Sequence, residues 1–186
     1  MTTPTIDQPV TDPVPGRALF VSVRLFLAAE AFFFLGFLFA YLYLRALNTN
    51  HSWHPSGTDP STALGTVVVV TVVLAAVAFR YAAGRDQRAI EWVALALVLV
   101  AFVCQGVQLF NPGFSPSHGG GYGAVFVGFS AAFAAHLLGA LYWLETVIVD
   151  RDATPEERGT HAQAASLFIT FLAGVSVVAY ILIYLV

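Results

Sequence analysis

Arg24-Leu-Phe-Leu-Ala-Ala-Glu30-Ala-Phe-Phe-Phe-Leu-Gly-Phe-Leu-Phe-Ala-Tyr41 decides how this chain folds. An apolar run of this length spans a bilayer as a helix, and it carries one acid near its middle. A charged carboxylate at that depth costs about 2.5–3.5 kcal/mol on insertion scales. Glu30 therefore needs a partner, a water-filled cavity or its neutral form. Two readings stand: a protonated acid that ties one helix to another, or a residue on or beside a proton or substrate route.

The rest of the chain repeats this pattern. Of the 186 residues, 58% are hydrophobic and 10% charged, against about 45–50% and 25% in soluble domains. The expected fold is all-α: a polytopic membrane protein with five transmembrane helices near residues 18–47, 62–83, 90–110, 122–149 and 164–186. Residues 1–16, with Pro4, Pro9, Pro13 and Pro15, read as a disordered tail, and 17–186 as one bundle without a signal peptide. Asn111-Pro112-Gly113 should end the third helix. The connections are short, so sequential helices are expected to be neighbours. No internal repeat supports an inverted-repeat transporter.

All eight basic residues are arginines. Arg17, Arg24, Arg80, Arg85, Arg88, Arg151 and Arg158 fall on one side of the five spans, and Arg45 on the other. The positive-inside rule then puts the N-terminus in the cytoplasm and the C-terminus outside. Glu30 lies about 12 residues from the cytoplasmic start of its helix and His136 about 13 from the cytoplasmic end of the fourth, each roughly 18 Å deep at 1.5 Å per residue. A hydrogen bond or near contact between them is expected; the alternative is that each faces a different neighbour. Gln105 and Gln108, one turn of the third helix, need partners inside the bundle. Gly128, Ser130, Ala131, Ala134 and Ala135 let another helix approach the fourth closely.

Several chemistries lack their residues. Cys104, the one cysteine, excludes a multi-thiolate copper or iron–sulfur site within the chain. His136 is the intramembrane histidine, while His51, His54, His118 and His161 fall in loops, so a bis-His haem is not expected. His51-Ser-Trp-His54 could bring two imidazoles to a metal ion, although solvated loop histidines explain it as well. Walker, zinc-protease and nucleophile-elbow motifs are missing, and no nucleic-acid partner is expected.

The run Leu25–Tyr41 resembles the subunit III family of haem–copper oxidases, whose pattern is Leu-Phe-Leu-Ala-Ser-Glu-x-x-Phe-Phe-x-Gly-x-Phe-x-Ala-Tyr. By this resemblance Glu30 corresponds to the family's carbodiimide-reactive intramembrane glutamate. A second likeness covers Tyr122-Gly123-Ala124 through His136: Ser130 takes a threonine's place and His136 that of the second histidine, while Phe133 replaces the first. Gln105-Gly-Val-Gln108 is similar to the family's Gln-x-x-Glu. The last helix lacks the family's Trp-His-Phe-Val-Asp entry, although His161 stands just before it.

The resemblance implies a small five-helix bacterial or archaeal plasma-membrane subunit, N-terminus inside and C-terminus outside. The family's enzyme reduces dioxygen to water with electrons from cytochrome c or quinol and couples this to proton translocation. Haem and copper would sit in partner subunits, with no redox centre or catalytic residue in this chain. Subunit I would be the direct partner, with subunit II and phospholipid nearby. Glu30 would be the functional acid, His136 its partner, and Gln105, Gln108, Tyr122 and Ser130 polar packing residues. Rival readings are an accessory subunit of a nitric oxide reductase of the same fold, a small proton-linked transporter that uses Glu30 directly, and a purely structural assembly factor.

Overall fold

The computed structural model describes residues 15–48, 53–83, 85, 87–150 and 153–185. Residues 1–14 of the expected tail, together with His51 and Arg151, lie outside the described residues. Five long helices follow one another: α1 (Pro15–Ala46), α2 (Thr62–Ala82), α3 (Arg88–Phe110), α4 (Gly120–Val149) and α5 (Pro155–Tyr180). A short 3-10 turn, Pro116–His118, precedes α4, and α5 runs into a π-helical turn at Ile181–Leu185. All five helices are long and apolar enough to cross a membrane, and no strand occurs among the described residues.

Local chemistry sets the helix ends. Pro15 opens α1, where a missing N–H costs nothing. Ser61 caps α2 by accepting from the Leu64 N–H. After Asn111-Pro112, Gly113 takes a φ of +87°, a left-handed conformation open to glycine, and the chain turns back. α5 begins nine residues before the expected position 164. Thr154 and Glu157 form a capping box and Pro155 fills the first helical position. The expectation followed hydropathy alone, whereas the polar first turns of α5 extend beyond its apolar stretch. His161 therefore sits exposed on α5 rather than in a loop.

Four helices close a ring: α2 packs on α3, α3 on α4, α4 on α5 and α5 on α2. The fully buried centre includes Phe79, Val98, Phe133, Leu137, Leu144 and Leu172. α1 lies outside this ring, against α4 and α5. Its principal neighbours are thus not α2, contrary to the expectation that sequential helices pack together. The connection at 47–61 is long enough to carry the chain across the end of the bundle. Gly128 permits the docking of α1, since a Cβ there would come within 3.2 Å of the Phe37 ring.

Two ends of the bundle differ. At the Arg-rich end, Arg158 of α5 donates to Glu91 of α3 at 2.6 Å. At the Arg45 end, Tyr122 ties three segments: its N–H donates to Trp53 O (2.9 Å) and its hydroxyl to Ile183 O (2.9 Å). The second bond joins α4 to the π-helical turn that follows α5.

Candidate functional site

Glu30 and His136 meet between α1 and α4, with Glu30 Oε2 2.8 Å from His136 Nε2. The side chains are 19% and 16% exposed, at the edge of the bundle rather than in its sealed centre. Phe33 stacks on the imidazole at 5.8 Å between ring centroids, and Phe34 lies tilted at 4.9 Å. The run of phenylalanines that follows Glu30 thus builds the wall around its partner.

The other imidazole nitrogen fixes the protonation pattern. His136 Nδ1 lies 2.7 Å from Ala132 O, one turn earlier in α4. A carbonyl oxygen only accepts, so Nδ1 carries a proton and donates it. Nε2 then has two states. It accepts from a protonated Glu30, or it is protonated and donates to the Glu30 carboxylate. Both states have the same total charge and differ by the position of one proton in one hydrogen bond. The pair can therefore hold a proton in an apolar setting without a net unpaired charge, which is the form in which acids and histidines are tolerated at membrane depth.

The remaining sequence-derived residues lie elsewhere. Gln108, buried on α3, donates through Nε2 to Ser61 O (3.0 Å) and to the Tyr184 hydroxyl (2.8 Å). Gln105 is buried one turn away, beside Ser130, whose Oγ has no hydrogen-bond partner. Tyr122 anchors the Arg45 end as described above. None of these four touches the Glu30–His136 pair: Phe129, Phe133 and Phe34 lie between, with ring centroids 5.6–6.4 Å apart.

Two features escaped the sequence. Glu91, 2% exposed, forms the buried ion pair with Arg158. Its signal is an acid in the first turn of an apolar helix, a feature that does not by itself name a partner. The second is an apolar groove of about 410 Å³ between α1, α4 and α5, lined by Phe34, Leu38, Val125, Phe171, Gly174 and Val178 among others. It exists because α1 stands apart from the ring, a tertiary fact that hydropathy does not encode. Among the described residues, no group of three or more His, Cys, Asp or Glu side chains is placed to hold a metal ion. Compared with known protein families and with curated protein sequences, the chain matches no family model and no curated protein.

Proposed function

We propose that this chain is a non-redox accessory subunit of a haem–copper respiratory oxidase, with Glu30 as its functional acid. The observation that carries the reading is the Glu30–His136 hydrogen bond. It joins the two segments that resemble subunit III, and it forms a site able to hold one proton. In this reading the Arg-rich end faces the cytoplasm, and the pair lies at the level where a neighbouring catalytic subunit takes up protons. Haem and copper belong to that neighbour. The chain assists turnover by sustaining proton delivery and by holding lipid in the groove beside α1, whose apolar lining suits an acyl chain.

An accessory role in a nitric oxide reductase rests on the same observation, and the partner's chemistry separates the two. The test is to purify the tagged chain from its own membrane in mild detergent and record the reduced-minus-oxidised spectrum of what accompanies it. Haem bands with a large catalytic chain are expected, and turnover on oxygen against nitric oxide then chooses between the enzymes. A haem-free preparation would overturn both and favour a chain that moves protons by itself.

A further inference from the structure

A small cavity lies inside the α2–α5 ring, towards the Arg45 end, with an apolar wall that includes Val68, Phe126 and Phe133 and a set of polar side chains on it. It is lined by Gln105 and Gln108 of α3, Ser130 of α4, Ser176 of α5, and Tyr180 and Tyr184 at the C-terminal end. Ser130 is 1% exposed, and its Oγ lacks any hydrogen-bond partner. That is unusual, because buried hydroxyls are almost always paired, and a helical serine can bond the carbonyl a turn earlier. Ser176, Tyr180 and Gln108 nearby do find partners. Ser176 Oγ donates to Ala173 O (2.8 Å), and Tyr180 shares a hydrogen bond with Thr66 (2.8 Å). Gln108 spends both amide hydrogens on Ser61 O and Tyr184, which leaves its carbonyl oxygen to accept.

We propose that this cavity is a binding site for one buried water molecule, held by Ser130 Oγ and the side-chain amides of Gln105 and Gln108. The cavity measures about 20 Å³, enough for one water, which needs at least about 10–15 Å³. An apolar occupant would leave Ser130 unpaired, while water both donates and accepts and so matches hydroxyl and amide together. The site is separate from the Glu30–His136 pair, because stacked Phe129 and Phe133 close it on that side. Its polar continuation runs through Gln108 and Tyr184 to Ser61, at the Arg45 end of α2. The inference stands independently of the oxidase reading.

Hydroxyl radicals generated by pulsed X-rays oxidise side chains next to water, so labelling of the full chain in its native membrane reads the site. Phe133 is 1% exposed and lines the cavity, and Phe79 is 0% exposed and does not. Phe133 should label several-fold above Phe79, and the double variant Ser130→Val with Gln105→Leu should bring it down to the Phe79 level. Equal labelling of the two rings in the unaltered protein would overturn the proposal. So would labelling of Phe133 that persists in a folded double variant. Should that variant fail to fold, a structure of the unaltered protein that resolves ordered waters decides. Density within hydrogen-bond distance of Ser130 Oγ supports the site, and an empty cavity refutes it.

Discussion

Tyr184 lies so close over Gly65 that a Cβ added to the glycine would stand 2.5 Å from the tyrosine Cζ. The contact seats the C-terminal π turn against α2 and aims the Tyr184 hydroxyl at Gln108. Gly65→Ala must push the ring away and break that bond. A loss of about 1–3 kcal/mol is expected, as for overpacking that forces a neighbouring ring to shift. Gly36→Ala is the control: a Cβ added there would meet no atom within 4 Å, and no loss is expected, with a gain of up to about 1 kcal/mol from alanine's better helix propensity. Unfolding in a mild detergent, followed by tryptophan fluorescence, compares the two.

Glu91 and Arg158 bind α3 to α5 at the Arg-rich end, with side chains 3% and 13% exposed. Removing one member leaves the other charge buried, which costs about 3–5 kcal/mol. Glu91→Ala should therefore destabilise the chain strongly. The double variant Glu91→Leu with Arg158→Met should recover most of the loss, since apolar side chains of similar volume often replace such pairs without cost. A double variant no better than Glu91→Ala would show that the two side chains are not coupled.

The groove between α1, α4 and α5 predicts a lipid effect. Gly174 lines it, and a Cβ placed there would meet no atom within 4 Å. Gly174→Phe should fill part of the groove. The purified variant should lose most of its tightly bound phospholipid by mass spectrometry. Unchanged lipid content would mean that the groove is not where lipid is held.

Five spans were legible because each is a long apolar run, and the Glu30–His136 meeting was legible because depth along a straight helix follows from residue count. The start of α5 was missed although Thr154 and Glu157 carry the capping-box spacing, because hydropathy outweighed local capping. The placement of α1 outside the ring was not legible. All five helices have broadly apolar surfaces, so periodicity says little about which faces meet. Glu91 was missed for a related reason: its burial depends on Arg158, which lies on another helix and far along the chain.

The hydrogen bond between Glu30 and His136 separates packing from proton chemistry in one set of variants. Glu30→Leu leaves His136 Nε2 without its partner in an apolar wall, at a cost of about 1–3 kcal/mol, and His136→Phe does the same to Glu30. Each loses the same bond, so the double variant Glu30→Leu with His136→Phe should be more stable than the sum of the single losses, by about 0.5–3 kcal/mol of coupling. Glu30→Gln keeps the shape and a hydrogen-bonding amide but cannot carry the proton, so it should remain close to the unaltered protein in stability. If the pair works as a proton-holding site, Glu30→Gln and the stable double variant both slow proton uptake or hasten inactivation during turnover of the assembled complex. If the pair only joins α1 to α4, both turn over normally. The double variant is the decisive case, because restored stability removes misfolding as an explanation for any defect that persists.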